Sequence, residues 1–344
     1  MIVSVRTPLR VSLFGGGTDY PAFFHRAPGA VLGFTIDKYI YLSGLPLSSY
    51  VDYRYRLSYS KVEVVDSVGA IEHPVVRAVL ERYGWDEPTD FSVQADLPAA
   101  AGLGSSSAFT VGFVNLISHL MGVPRTRMEL AREAIYTEQV VLRENVGVQD
   151  QLHASFGGIN RFDFVGDTFR ITPINISGRE VRNLSDWLVL VYTGIKRRAT
   201  SVVEEQLKNT SAKAVDFELR EMLGFVEAAH AILEDTNHSG DTPVRIAELL
   251  HQSWQIKKRL SSGITLREID ELYEVCLGNG ALGGKLCGAG GGGFLLMVVP
   301  PEKRNAFEAV IGPRQCVRFQ VDLHGTTLIP SSAPPVRPLG IVAL

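Results

Sequence analysis

The stretch from Pro98 to Ala108, PAAAGLGSSSA, constrains this chain more than any other. Alanine and glycine leave the main chain uncovered, so backbone N–H groups can approach phosphate oxygens without a side chain in the way. Gly102 and Gly104 supply backbone angles that other residues avoid. The run that follows, Ser105 to Leu120, has helix-compatible apolar spacing, and its serines suit an N-cap. A helix begun there turns its first amides and positive dipole end toward the loop, a general anion site suited to the polyphosphate of ATP. The alternative is a Ser-capped core helix after a flexible turn.

With 344 residues the chain can form two domains or one large one with a sizeable core. Its 45% hydrophobic and 21% charged residues exclude a disordered or low-complexity chain. A formal net charge of −3 argues against nucleic acid as the main partner. Cys276, Cys287 and Cys316 are odd in number and lack CxxC spacing, so free thiols are expected rather than a disulfide framework or a zinc site. The N-terminus, MIVSVRTPLRVSLFGGG, reads as a strand entering a turn and not as a signal peptide. No segment reaches 18 uncharged apolar residues, so the expectation is a cytoplasmic protein with no membrane partner.

Short strand-like runs occupy Ile2 to Arg6, Val11 to Phe14, Gly29 to Phe34, Ile40 to Leu45, Arg56 to Tyr59 and Phe91 to Ala95. Helical patterns cover Pro74 to Tyr83, Ser105 to Leu120 and Arg127 to Glu144, and return from Ala199 to Glu234 and Thr242 to Leu260. A buried strand is expected at Trp187 to Thr193. Strands followed by helices, without strict alternation, argue for an α+β arrangement. A soft boundary falls at 160–180, giving domains of 1–170 and 171–344.

Two further glycine-rich sites flank the first. In PLRVSLFGGGTDYP, Gly16 and Gly17 follow a strand, and Thr18, Asp19 and Tyr20 offer hydroxyl, carboxylate and phenol groups of the kind that hold a sugar; a plain turn capped by Asp19 is the alternative. In GGKLCGAGGGGF, Gly288, Gly290 and Gly291 precede the strand-like FLLMVV, where bare backbone suits close approach to a ligand or to the first phosphate loop. Neither a P-loop nor a dinucleotide fingerprint is present.

Two carboxylates stand out. Glu138 interrupts the apolar stripe Ala131, Ala134, Ile135 and Leu142, and a buried carboxylate needs a partner, either a divalent cation or an arginine such as Arg132. Asp150, in GVQDQLHASFGG, either caps a short helix or returns to the same cavity to engage a substrate hydroxyl.

Three glycine-rich sites in this order, with P-x-x-x-G-L-G-S-S-[SA] in the middle, resemble the GHMP kinases from Pro8 to Phe294. The resemblance implies an N-terminal domain with a left-handed βαβ unit like that of a ribosomal-protein domain, a ferredoxin-like C-terminal domain, and ATP with Mg²⁺ between them. It implies a phosphate loop over Pro98, Ala101, Gly102, Leu103, Gly104, Ser105, Ser106 and Ser107, with Ser106 or a neighbouring serine and Glu138 on Mg²⁺. It makes Asp150 the catalytic aspartate of a G-x-x-D-Q motif and Arg10 its partner, able to offset transition-state charge.

Where galactokinases carry Glu-His before Thr-Asp-Tyr, this chain has Gly16 and Gly17. GGGTDYP is instead similar to the branch with heptose 7-phosphate kinases and fucokinase-like enzymes. The expected reaction is ATP-dependent phosphorylation of the anomeric hydroxyl of D-glycero-D-manno-heptose 7-phosphate, serving GDP-heptose and capsule or lipopolysaccharide synthesis. A kinase of a free sugar such as fucose or galactose is the rival, and a non-catalytic sugar- or ATP-sensing protein is a rival of another class. The basic run Lys196, Arg197 and Arg198 is either a solvated face or the seat of the substrate phosphate, with Arg143 or the pair His25 and Arg26 next in line. A homodimer is compatible with this reading.

Overall fold

The computed structural model describes residues 1–195, 200–235, 240–313 and 315–330. A first sheet takes seven strands from the N-terminal half: β1 (Val3–Phe14), β2 (Gly29–Pro46), β3 (Tyr55–Ser58), β4 (Val62–Val65), β5 (Thr89–Ala95), β6 (Ile159–Val165) and β7 (Thr168–Pro173). A second sheet contains β8 (Leu188–Tyr192), β9 (Gly283–Leu286), β10 (Phe294–Val298) and β11 (Cys316–Val317). Two short strands, β12 (Val321–Asp322) and β13 (Thr327–Leu328), pair with β2 and β1 and bring the first sheet to nine. Helices of the first half are α1 (Pro21–Phe24), α2 (Pro74–Tyr83), α3 (Ser105–Leu120), α4 (Arg127–Tyr136) and α5 (Gln149–Phe156). Those of the second are α6 (Gly178–Trp187), α7 (Thr200–Ser211), α8 (Asp216–Leu233), α9 (Thr242–Lys257), α10 (Arg267–Gly278) and α11 (Arg304–Ile311).

The second sheet runs β11-β8-β10-β9 with every pair antiparallel. In chain order this is 4-1-3-2, with helices between the first and second strands and between the third and fourth, the ferredoxin-like arrangement. Its central strands, LVLVY and FLLMV, are almost wholly buried, which explains their unbroken apolar runs. In the first sheet β3 and β5 run parallel, with β4 and α2 between them in the chain. The fold is thus α+β with two sheet-based halves, as the strand-then-helix pattern implies.

The four short strands expected at the N-terminus are two long ones. Pro8 explains the misreading, because a residue without an N–H interrupts an apolar pattern and cannot donate to the ladder. The sheet accommodates it by a register shift, Pro8 facing Tyr39 and Leu9 facing Ile36. β1 and β2 continue through this irregularity as a bulged pair. Similarly, the expected helix to Glu144 stops at Tyr136 and passes into a π turn, Thr137–Val141, closed by Leu142 N–H donating to the Thr137 carbonyl. The helical region from Ala199 onward divides at Lys213, which adopts φ +59°.

α3 is buried along most of its length and packs on β1, β2 and α5. Its Asn115 donates to Thr326 Oγ1 at 3.0 Å, and Thr326 meets Thr7 Oγ1 at 2.9 Å. That buried chain of polar groups ties the tail of the sequence back to β1, so in space residues 321–328 belong with the first sheet. The three cysteines are free, and no helix among the described residues is long and apolar enough to cross a membrane.

One buried group is expected to make the fold acid-sensitive. His153 of α5 is fully buried against Phe162, and neither ring nitrogen has a hydrogen-bond partner. Burial, assisted by the nearby Arg10 charge, pushes its pKa down to about 3. The unfolded chain therefore binds a proton near pH 6.5 that the folded chain refuses, so this contribution to stability is present above that pH and is lost as pH falls toward 3. His153→Leu is expected to flatten stability across that window by at most about 5 kcal/mol relative to wild type, as read from urea melts at stepped pH. Parallel stability curves for the two proteins would show that His153 is not the sensitive group.

Candidate active site

The three glycine-rich segments meet in one cleft. Arg10, Ser12, Gly16, Gly17, Asp19 and Tyr20 line it from the first segment, Ala100, Gly102, Gly104, Ser105 and Ser106 from the second, and Lys285, Gly288 and Ala289 from the third. The contact between the second and third is main chain on main chain. A Cβ on Gly102 would lie 2.5 Å from the Cys287 carbonyl oxygen, and one on Gly288 would lie 2.5 Å from Gly102 Cα. Both residues have positive φ, +77° and +70°. Glycine is required here because no side chain fits between the loops.

Gly104, in a left-handed conformation, is the N-cap of α3, and Ser105 is already helical. The serines are therefore not the cap, although the helix begins where they do. Its first-turn amides have no intrahelical acceptor, and no acidic residue occupies that turn. Ser105 and Ser106 line the cleft, whereas Ser107 is buried. Ala101 and Leu103 point into the core, and Pro98 is exposed. The uncovered backbone of Gly102 and Gly104 at a helix N-terminus fits a polyphosphate.

Arg10 joins the parts. From β1 its Nε and Nη2 donate to the two carboxylate oxygens of Asp150, each at 2.7 Å, while Nη1 donates to the Gly102 carbonyl at 2.7 Å. Its backbone N–H donates to Leu103 at 3.0 Å. Burial works against the guanidinium charge, yet Asp150 more than compensates and raises its pKa above the ordinary arginine value. Asp150 sits in the first turn of α5, whose N-cap is Val148, so its carboxylate is engaged by Arg10 rather than spent on capping. About a quarter of the Asp150 side chain remains exposed, at the cleft.

Asp19 is not a helix cap either. Its Oδ1 accepts from Gly17 N–H at 2.9 Å and its Oδ2 from Gln149 Nε2 at 2.9 Å. Burial pushes its carboxyl above the ordinary range, with the neighbouring Asp150 charge acting in the same direction. Thr18 takes no part in the cleft, because its hydroxyl is fully buried and donates to the Gly15 and Ala30 carbonyls. Gly290 and Gly291 also turn away: the first packs on Ile264 and the second donates its N–H to the Ile264 carbonyl. Arg197 and Arg198 lie outside the described residues.

Glu138 is fully buried within the π turn, an element that often marks functional sites by re-aiming one side chain. Its Oε2 accepts from Ser107 at 2.9 Å and from Gln151, while Oε1 has no protein partner. Arg132 stacks on Phe169 instead, so the arginine alternative for Glu138 does not hold. Burial raises the Glu138 carboxyl to about 7. Among the described residues no cluster of three or more His, Cys, Asp or Glu is able to hold a metal. A cation here would need phosphate oxygens to complete its shell, and an orphaned carboxylate oxygen fits one such position.

Lys257 and Lys285 also line the cleft, and neither was singled out from sequence. The signal was available for Lys257: it continues the buried stripe Ile246, Leu250 and Trp254 on α9, the same breach of pattern that drew attention to Glu138.

The family of GHMP kinases N terminal domains matches residues 68–158, and that of GHMP kinases C terminal domains matches 229–316. A D-glycero-alpha-D-manno-heptose 7-phosphate kinase of Campylobacter jejuni is 30% identical over 326 residues, covering 90% of this chain and 93% of that protein. A galactokinase of Thermotoga maritima is 28% identical over 192 residues, covering 54% of this chain and 53% of its own length. Among solved structures, a D-glycero-D-manno-heptose 1-phosphate kinase from Bacteroides thetaiotaomicron superimposes with TM-score 0.72 at 22% identity, covering 95% of this chain and 99% of that one. The mevalonate kinase of Methanococcus jannaschii reaches 0.70 at 18% identity, covering 93% and 98%.

Proposed function

Since this chain belongs to the GHMP kinases, we propose that it is an ATP-dependent sugar kinase acting on the anomeric hydroxyl of D-glycero-D-manno-heptose 7-phosphate, giving the 1,7-bisphosphate. The observation that carries the reading is the Arg10 fork. One guanidinium grips both the Asp150 carboxylate and the carbonyl of Gly102 in the phosphate loop, so a proton acceptor and a phosphate cradle are fixed to each other. Positioning and charge stabilisation are what phosphoryl transfer demands of a protein.

In this proposal Gly102 to Ser106 hold the phosphates of ATP, and Ser106 or Ser107 with Glu138 hold Mg²⁺. ATP supplies the transferable phosphoryl group and Mg²⁺ neutralises its charge. Asp150 orients the sugar hydroxyl and accepts its proton, and Arg10 balances charge beside it. Asp19, with Gln149 and Tyr20 beside it, faces the sugar; Gly16 and Gly17 leave room there. The identity with the Campylobacter protein over nearly both chains supports the heptose phosphate, whereas the galactokinase likeness covers about half of each. We place the protein in the cytoplasm, with a small sugar phosphate as its partner.

The test is ATP consumption with heptose 7-phosphate, mannose, fucose and galactose as acceptors. Turnover is expected with heptose 7-phosphate; preference for a free sugar would replace the substrate, and no turnover with any would favour a sensing protein. Glu138→Gln is expected to raise the Mg²⁺ concentration for half-maximal turnover about tenfold or more, with a smaller effect on melting temperature. A lower melting temperature with unchanged Mg²⁺ dependence would make Glu138 structural.

A further inference from the structure

Lys257 ends α9 and Lys285 lies on β9, and both are nearly fully buried where the first and third glycine segments meet. Lys285 Nζ donates to the carbonyls of Ser12 and Leu13 at 3.0 and 2.8 Å, across from β9 to the end of β1. Lys257 Nζ donates to the carbonyls of Leu286 and Gly288, the first at 3.2 Å. An ammonium has three N–H donors, so each lysine retains one beyond its two carbonyls. Buried lysines ordinarily have a carboxylate partner. Neither of these forms an ion pair among the described residues.

The acids of the cleft are already engaged. Both Asp150 oxygens are held by Arg10, and the two Asp19 oxygens by Gly17 and Gln149. Among the described residues, the charged side chains that line the cleft are three cations, Arg10, Lys257 and Lys285, against two carboxylates, Asp19 and Asp150. Of the other cations considered from sequence, Arg26 forks onto Asp216 and neither His25 nor Arg143 lines the cleft, while Lys196, Arg197 and Arg198 lie outside the described residues. Burial pushes the Lys285 ammonium down to about 8, and burial with the adjacent Lys285 charge pushes Lys257 well below the usual lysine range. An incoming anion would relieve both effects.

The geometry points to Lys257 and Lys285 as a phosphate-contacting pair, each offering its remaining ammonium N–H to the oxygens of a phosphoryl group in the cleft. Lysine suits phosphate as a compact point charge. The inference rests on the kinase reading only for the source of that group, which is either the sugar's own phosphate or the phosphoryl group of the nucleotide.

Lys257→Met and Lys285→Met remove the charge and keep most of the volume. Inorganic phosphate, heptose 7-phosphate and the ATP analogue AMP-PNP would each be titrated calorimetrically into the full chain, with no turnover required. Wild type is expected to bind inorganic phosphate, and each variant about tenfold or more weakly. Loss confined to heptose 7-phosphate assigns the pair to the sugar phosphate, and loss confined to AMP-PNP assigns it to the nucleotide. Wild-type affinity of folded variants for all three probes, or no phosphate binding by wild type, overturns the inference. A measurement that needs no variant guards against misfolding: ¹⁵N-lysine ammonium resonances of wild type should shift on adding phosphate, and unchanged resonances would overturn the pair equally. Phosphate binding through these lysines without sugar turnover removes the kinase reading alone; turnover with unaffected variants removes the pair alone.

Discussion

Asp150→Asn is expected to lower kcat by about two to four powers of ten while ATP affinity changes little. The substitution keeps shape but replaces an acceptor-only carboxylate by an amide, which cannot take the hydroxyl proton and turns an NH₂ toward one of the Arg10 donors. Arg10, buried beside the phosphate loop, then loses its counter-charge. The fold should therefore weaken as well, on the order of 2 to 4 kcal/mol, because an uncompensated buried cation is more costly than no pair at all. The double variant Arg10→Met with Asp150→Asn separates the two effects. Stability should recover in part, since the orphaned charge is gone, while turnover stays low. Near-normal kcat in folded Asp150→Asn would eliminate Asp150 as the proton acceptor and leave catalysis to positioning and charge neutralisation.

Gly102→Ala is expected to separate the second and third glycine segments. The new Cβ meets the Cys287 carbonyl oxygen at 2.5 Å, and that atom belongs to a main chain fixed between β9 and β10. To this is added the cost of a left-handed residue with a side chain, together about 3 kcal/mol or more. Gly166→Ala is the control. Gly166 also has positive φ, +54°, but nothing lies within 4 Å of its Cβ position, so only the backbone cost of about 1 kcal/mol applies. Thermal melts should rank the two clearly, and KM for ATP should rise at least about tenfold in Gly102→Ala alone, since the displaced loop no longer presents its amides. Equal melting temperatures for the two variants would mean that the loops are not pressed together as the geometry indicates.

The local sequence carried whatever depends on neighbours along the chain. α2 and α3 were legible to the residue, because an N-terminal proline in one and a glycine–serine start in the other punctuate an apolar period. Pro8 misled for the same reason: punctuation is a local signal, while a bulge that carries a strand past proline depends on the partner strand. The glycine density of the three segments announced bare backbone, and their order resembled a family. Which glycines face the cleft was not readable. Gly288 does, whereas Gly290 and Gly291 meet Ile264, a residue brought there by a distant turn.

Tertiary structure decided which charges meet in the cleft, and only the Arg10–Asp150 pairing was implied beforehand, by the family resemblance. The Arg10–Asp150 pair spans 140 positions of sequence, and Lys285 reaches carbonyls more than 270 positions away. A charged side chain on an apolar stripe declares from sequence that it is buried, as Glu138 and Lys257 do. It does not declare its partner, because Coulomb energy and hydrogen bonding depend on distance in space, and chain separation places almost no limit on that distance once the chain is folded.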